Sequence, residues 1–464
     1  MARQLESTLP QSGVLPVGSS ALQGGRDVGS RVRAIVESRF FVPSVLLAAL
    51  LLRVVCVVAF QVTPTSDFSY YYARAVDLLS GKFMVLHGAP TAYWPVGYVF
   101  FLAGVFFVTG PSVLAATLAN VAIALASLGL VHWITLRLTG SRLAAGVALA
   151  VMAFHPNHIA YCALTSNEVL GSFMILAGVA LLLRTLPLPA GRARLAHLAL
   201  CGVVFGFGCL VKPQIVVLPT ILLAWLAWRE RQPWARLAGA AFLVNLALGA
   251  TIMPWLVHEY RAFGRFVFVA TSGGGDLYLG NNPLANGGYP PPAVEHELDS
   301  MLEADGIGES AMELRAKHAA LAYIASHPLR TLELIPAKLW YLYAKDVDGF
   351  SWIDESSQWT YPHLVMWLFR IVAELYWVGL MALFAGVLYR AAWKRPGSRS
   401  TNALPLVVLG TVTAIYLFFY GMSRFHFPIV PWIAIYVGGS VAAYLSARAS
   451  RPPAAMAPDR ALTR

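Results

Sequence analysis

The chain is 464 residues long, 58% hydrophobic and only 12% charged, a balance outside that of water-soluble domains. Its net charge of +11 is carried by Lys and Arg in short loops between apolar runs, the pattern of loops held at one membrane face, which argues against nucleic acid as a partner. Of the four cysteines, Cys201 and Cys209 would stand about 12 Å apart on one helix, too far for a disulfide, and Cys56 and Cys162 also lie in or beside apolar runs.

Residues 1–40 are rich in Ser, Gly and Arg and read as an unstructured cytoplasmic tail; the first apolar run starts too late and is too long for a signal peptide. A crossing needs about 20 apolar residues. Placing every short basic loop on one side gives a single threading. Helix 1 (about 41–62) leads outward to a first outer loop, 63–110, and helix 2 (about 111–136) returns to Arg137 and Arg142. Helices 3 (about 143–163) and 4 (about 168–183) return to Arg184, Arg192 and Arg194. The stretch 196–228 is too long for one crossing and breaks at Lys212-Pro213, so it reads as two, ending in Arg229, Arg231 and Arg236. Helix 7 (about 237–258) leads to a polar stretch, 259–361, outside, where Glu295, Glu297, Asp299, Glu303 and Asp305 gather. Helix 8 (about 362–389), helix 9 (about 402–420) and helix 10 (about 428–447) complete the set, and 449–464 reads as a second cytoplasmic tail. The 13 residues 97–109 would span only about 20 Å and read as re-entrant or interfacial.

The expected fold is therefore an all-α polytopic membrane protein of about ten transmembrane helices joined by extracytoplasmic loops. Residues 41–258 make an N-terminal transmembrane module, 259–361 an outer region and 362–448 a C-terminal set of helices. Both termini lie inside.

Three outer patches are richer in polar and aromatic residues than a linker requires. The first holds Asp67, Tyr71, Lys82, Trp94 and Tyr98. An acid this close to membrane depth is usually functional, although Asp is also a favoured N-cap for an amphipathic helix Phe68 to Leu79. The second, Thr271 to Tyr289, carries Asn281 and Asn282 among glycines and tyrosines suited to hydroxyl recognition, and lacks phosphate-loop spacing. The third, Gly421 to Pro428, contains Arg424 and His426. Arg424 runs against the charge bias and calls for a partner such as phosphate, which a guanidinium binds bidentately; Lys212 breaks the same bias. Snorkelling to headgroups is the plainer account of each. Arg370 and Glu374 are spaced to pair with each other. Arg53, deep in helix 1, has no sequence partner and reads as a contact to a neighbouring helix at least as readily as a catalytic group. The eleven His and four Cys show no metal-ligand spacing.

In this order, the acid after helix 1, Trp94-Pro-Val-Gly-Tyr98, Asn167-Glu168 opening helix 4, Lys212-Pro213, Gly280-Asn-Asn-Pro283 and Arg424 to Pro428, the chain resembles the C-superfamily of membrane glycosyltransferases. The resemblance covers roughly residues 41–450 and is to the bacterial relatives of protein O-mannosyltransferases and lipid A aminoarabinose transferases. It implies inverting transfer of a sugar from a polyprenyl-phosphate donor to a lipid, glycan or protein acceptor, with Asp67 as general base, on a fold whose extracytoplasmic loops form the active site, with 41–258 as the catalytic module, in a bacterial inner membrane. Many members carry two adjacent acids there, whereas Phe68 follows Asp67; Glu168 is the candidate second carboxylate. Arg424, Lys212, His426 and Lys82 are the candidates for the donor phosphate, and Tyr71, Trp94, Tyr98, Asn281 and Asn282 for sugar or acceptor. Members using monophosphate donors generally need no metal, so no cofactor is expected. A polyprenyl-linked oligosaccharide ligase or polymerase would differ only in donor chemistry. A lipid or sugar transporter would place polar groups on broken helices at the midplane and show repeats.

The threading makes a direct demand. A cysteine placed at Ser300 reacts with a membrane-impermeant thiol reagent in intact cells, and one at Ser398 only after lysis; the reverse order would invert the topology.

Overall fold

The computed structural model describes residues 30–185, 187–230, 234–303, 308–357, 361–394 and 403–449. The part of the expected N-terminal tail at 1–29 and the C-terminal tail from 450 lie outside these. Residues 30–36 are helical rather than unstructured. Arg33 pairs with Glu37 across 3.1 Å, and Val36 packs on Leu143, Ala144 and Ala442.

The helices follow the hydropathy closely. After α1 (Phe41–Ala59) come α2 (Ser66–Leu79), a two-residue hairpin β1 (Val85–Leu86) and β2 (Ala89–Pro90), α3 (Gly97–Thr109) and α4 (Val113–Thr139). Then follow α5 (Arg142–Ala153), α6 (Pro156–Ala160), α7 (Glu168–Thr185), α8 (Arg192–Val211), α9 (Leu218–Glu230) and α10 (Trp234–Phe263). Seven helical segments are long and apolar enough to cross a membrane, and eight if the α5–α6 region, bent by 61°, counts as one span. Against the ten expected crossings, three shorter apolar helices, Gly97–Thr109, Pro213–Arg229 and Ala403–Tyr416, fall below that length. Residues 97–109 form one uninterrupted helix. On α1, Leu47, Leu51, Val55 and Val58 are each more than half exposed along one stripe, the face lipid would cover.

The bend between α5 and α6 has a visible cause. Pro156 cannot donate to the helix before it, which leaves carbonyls at the end of α5 free. Arg53 takes them up: its guanidinium donates to Ala153 O (2.9 Å) and Met152 O (3.4 Å), and also to Ala49 O (3.2 Å) one turn back on its own helix. Arg53 is thus a helix-to-helix contact, as its sequence position allowed.

The region between α10 and the later membrane helices is largely helical: α11 (Ser272–Gly280), α12 (Pro292–Glu303), α13 (Glu309–Ser326), α14 (Pro328–Glu333), α15 (Ile335–Tyr343) and α16 (Asp348–Ser356). The chain then forms α17 (His363–Lys394), α18 (Ala403–Tyr416), a 3-10 turn Ser423–Ile429 and α19 (Val430–Ala449). Tyr278, Val294, Met312, Ala316 and Ala320 form a small core among α11, α12 and α13. The Glu309 carboxylate fastens that core to the first loop, accepting from Thr91 Oγ1 (2.9 Å), the Ala92 N–H (2.5 Å) and Thr271 Oγ1 (3.0 Å). Arg370 pairs with Asp354 at 2.6 Å, not with Glu374, which instead accepts the Asp346 N–H. A partner presented by α16 outcompetes the one-turn spacing on the surface of α17. All four cysteines are free thiols.

At the start of α3, Gly97 meets α8 backbone to backbone. A Cβ there would stand 2.6 Å from Leu210 C and Val211 N, whereas one at Gly104, on the same helix, would touch nothing. Gly97→Ala is therefore expected to cost about 1–3 kcal/mol, and Gly104→Ala to be neutral or slightly stabilising. Thermal unfolding of the two variants in detergent checks the contrast; equal behaviour would remove the close α3–α8 contact.

Candidate active site

Four segments distant in sequence meet at one buried group of charges. The strand leaving α1 is anchored to the end of α16: Thr63 N–H donates to Ser356 O (2.7 Å), and the Thr65 and Ser356 hydroxyls lie 2.8 Å apart. The chain then enters α2 through Ser66, which takes a left-handed φ of +49°, uncommon outside glycine. Asp67 follows. Thr65 is the N-cap, and the Asp67 carboxylate turns away from the helix to Arg424, whose Nη2 lies 2.5 Å from Oδ2. The capping account of Asp67 thus gives way to an ion pair.

Arg424 is shared. Its Nε donates to Glu168 Oε1 at 2.6 Å, and the same oxygen lies 3.3 Å from Lys212 Nζ. Glu168 is fully buried as the first residue of α7, where the helix dipole favours a carboxylate. Lys212 reaches it because α8 stops one residue earlier, before Pro213, and because its aliphatic stem lies across Gly171, where a Cβ would meet Lys212 Cδ at 2.9 Å. The Phe68 ring faces the Arg424 guanidinium at 5.5 Å, so the residue after Asp67 supplies a cation–π contact.

Around this group, Asn167 Nδ2 donates to the Tyr71 hydroxyl (2.9 Å), and Gln214 Nε2 to that of Tyr416 (2.8 Å). Tyr416 stacks on Phe425 at 4.5 Å. Asn167 Oδ1, Gln214 Oε1 and the Tyr161 hydroxyl are buried without a hydrogen-bond partner among the described residues, as expected of groups that meet a polar ligand or water. Asp276 on α11 is a member that sequence reading missed. It hydrogen-bonds to Tyr420 and lies in the field of Arg424 and Asp67. Burial pushes its carboxyl up to about 7, against the opposing effect of Arg424. Its only sequence signal is an acid in a run of glycines.

Asp67, Glu168, Arg424, Lys212 and Tyr71 are thus brought together, and other expected members are not. His426 is fully buried with both ring nitrogens occupied, by Leu342 O (2.6 Å) and Asp346 Oδ1 (2.9 Å). Asn281 donates to Leu277 O and Phe418 O and accepts from Lys338 Nζ. Asn282 closes on Tyr278 O, Leu279 O and the Leu284 N–H. Both amides hold backbone in place. Lys82 is exposed in the turn before the hairpin. Trp94 packs half-buried against Tyr93. Tyr98 is buried, its hydroxyl on Asn120 Oδ1 and its ring edge-on to Tyr71, one shell behind the charges. Among the described residues no group of three or more His, Cys, Asp or Glu could hold a metal ion.

No protein-family model and no curated protein matches the chain. Solved structures do. The oligosaccharyltransferase AglB from Archaeoglobus fulgidus, in complex with an inhibitory peptide and a dolichol-phosphate, superposes with a TM-score of 0.53 at 13% identity, over 88% of this chain and 51% of that one. The same archaeon's oligosaccharyltransferase in complex with Zn and sulfate gives 0.52 at 15% identity, over 87% and 50%. The chain shares the membrane fold of these oligosaccharyltransferases. It spans about half the length of those oligosaccharyltransferases. ArnT from Cupriavidus metallidurans bound to undecaprenyl phosphate matches at 0.42 and 15% identity over 89% and 77%, a superposition too loose to argue from. In this fold the charged group lies where α2, α7, the α8–α9 break and the turn before α19 converge.

The raised carboxyl of Asp276 gives stability a defined pH dependence. Between about 4 and 7 the unfolded chain has released a proton that the folded chain keeps, so stability falls as pH rises through this window and levels off above it. Asp276→Asn mimics the neutral acid without titrating. Its unfolding midpoint is expected to match wild type at or below about pH 4 and to exceed it by a growing margin up to about pH 7; a constant difference would place the titration elsewhere.

Proposed function

We propose that the chain transfers a sugar from a polyprenyl-phosphate carrier to an acceptor hydroxyl at the extracytoplasmic membrane face, with inversion at the anomeric carbon. The observation that carries this reading is the sharing of Arg424 between Asp67 and Glu168, with Lys212 alongside, in a group buried from solvent. The dolichol-phosphate in the AglB complex supports a donor of this chemical class.

A sugar phosphate brings its own leaving group, so the protein must place the acceptor, take its proton and hold the departing charge. Asp67 is the base: Arg424 engages Oδ2, and the other oxygen receives the hydroxyl proton. As the acceptor oxygen bonds to the anomeric carbon, the bond to the phosphate oxygen breaks and its electron pair stays with the phosphate, which goes from one negative charge to two. Arg424 uses two of its five N–H groups on carboxylates, which leaves three for phosphate oxygens, and Lys212 adds a second cation. Glu168, fully buried and bonded to both cations, aligns them and is not the base. Tyr71, Gln214 and Tyr416 line the approach to the sugar. The acceptor is a lipid, glycan or protein hydroxyl.

Asp67→Asn keeps the shape and can still accept from Arg424, but it cannot take a proton. Loss of a general base typically costs roughly 10²–10⁴-fold in rate, so single-turnover transfer is expected to fall by that factor with donor binding and folding retained. Arg424→Ala is expected instead to weaken donor binding by roughly 1.5–3 kcal/mol. A folded Asp67→Asn enzyme with more than about a tenth of wild-type rate would remove Asp67 from the chemistry.

A further inference from the structure

Arg424 sits in the seven-residue 3-10 turn Ser423–Ile429, an element with too few internal hydrogen bonds to fix a side chain by itself. Asp67 and Glu168 hold the guanidinium, but something else must hold the backbone that carries it. Ser423 and His426, which flank Arg424 in the turn, both bond to acids at the junction of α15 and α16. Ser423 Oγ donates to Asp348 Oδ2 at 2.5 Å, and His426 Nε2 lies 2.9 Å from Asp346 Oδ1.

The His426 contacts define its charge. Nδ1 faces the Leu342 carbonyl at 2.6 Å and Nε2 faces a carboxylate, two groups that accept and do not donate. Both nitrogens must therefore carry protons, which makes the ring an imidazolium and its contact with Asp346 a buried ion pair. Asp346 is further committed. Its Oδ1 accepts from Asn157 Nδ2 (2.5 Å), its Oδ2 lies 3.4 Å from His155 Nε2, and Asn157 Oδ1 accepts the Gly349 N–H (2.7 Å). Burial alone would raise the Asp346 carboxyl, yet His155 and His426 bring it below its ordinary range. Trp377 closes the assembly by stacking flat on His426, centroids 4.4 Å apart, while its indole N–H donates to Tyr343 O (2.8 Å).

We propose that Asp346, acting through His426, and Asp348, acting through Ser423, are positioning residues that brace the Arg424 segment and so set where the donor phosphate is held. The brace itself follows from the contacts; its role in donor binding rests on the reading of Arg424 as the phosphate ligand. Neither acid touches Arg424 through a hydrogen bond or ion pair, so both act through their partners on the turn. The stake is geometric: a misplacement of about 1 Å in a reacting centre can cost about 10²-fold in rate.

Two measurements on the full chain in detergent test this. The first is hydrogen exchange of peptides covering 420–429, with 66–79 as reference. Asp346→Asn is expected to speed exchange in the turn by roughly tenfold, as loss of one charge-assisted bond implies, and leave the reference unchanged. Ser423→Ala cuts only the Asp348 tie and is expected to show the same effect in smaller measure should Asp346→Asn fail to fold. The second is binding of a polyprenyl phosphate, measured for each variant alone and combined with Arg424→Lys. Either variant is expected to weaken binding on its own and to add nothing once Arg424 is changed. Unaltered exchange in the turn, or a full additive loss in the Arg424→Lys background, would overturn the proposal. Faster exchange in the turn with no polyprenyl phosphate bound by wild type would keep the brace and reject the donor reading.

Discussion

The structure is organised by the need to bury a guanidinium without leaving its charge alone. A lone ion taken out of water at this depth costs several kcal/mol, and breaking a buried pair by removing one partner typically costs roughly 3–5 kcal/mol. Arg424 therefore fixes the positions of Asp67 and Glu168, and Glu168 in turn fixes Lys212. These residues come from four segments of the chain, so one electrostatic constraint determines where α2 begins, where α7 begins, where α8 ends and how the turn before α19 is shaped. Several local irregularities then have a common cause. The left-handed Ser66 sets the entry of α2 beside Asp67, and the extended Lys212 (φ −140°, ψ 104°) turns the chain out of α8. Such departures persist where their surroundings over-determine them.

The membrane helices were legible in the sequence because one physical signal, apolar length bounded by basic loops, dominates them. The core of the site was legible for a related reason. An ionisable residue at membrane depth or on the wrong side of the charge bias must have a partner, and Asp67, Lys212 and Arg424 all stood out in that way. What the pattern could not give was the identity of the partner. Arg370 has Glu374 one turn away and still bonds to Asp354, because α16 presents a carboxylate from outside the helix. His426 lies two residues from Arg424, yet a 3-10 turn sends the two side chains to different networks.

The asparagines failed for another reason. A short amide near the end of a helix satisfies the carbonyls three or four residues before it, and Asn281 and Asn282 do this with Leu277, Tyr278 and Leu279. Glycine-rich sequence with amides resembles a ligand-binding loop and is here the C-terminal end of α11. Asp276, in the same helix, is the residue that reaches the charged group, and nothing in its local sequence separates it from an ordinary solvated acid. Its position depends on how α11 packs against the chain after α18, which is tertiary information.

Four carboxylates that join separate elements can finally be ranked by how fully their oxygens are used. A carboxylate has room for about four hydrogen bonds, and each donor that stabilises the charged form makes it a weaker base. Glu309 takes three donors, from Thr91, Ala92 and Thr271. Asp346 takes Asn157 and His426 on one oxygen, with His155 beside the other. Both are committed to holding elements together. Glu168 receives Arg424 and Lys212 on a single oxygen, which suits a residue that aligns two cations. Asp67 receives one hydrogen bond, from Arg424, among the described residues, and it stands at the entry of α2 rather than inside a network. Of these four acids it keeps the most capacity for a new hydroxyl. On the proposed reading, that difference in saturation leaves Asp67 an oxygen for the acceptor's proton while the other three carboxylates hold their partners in place.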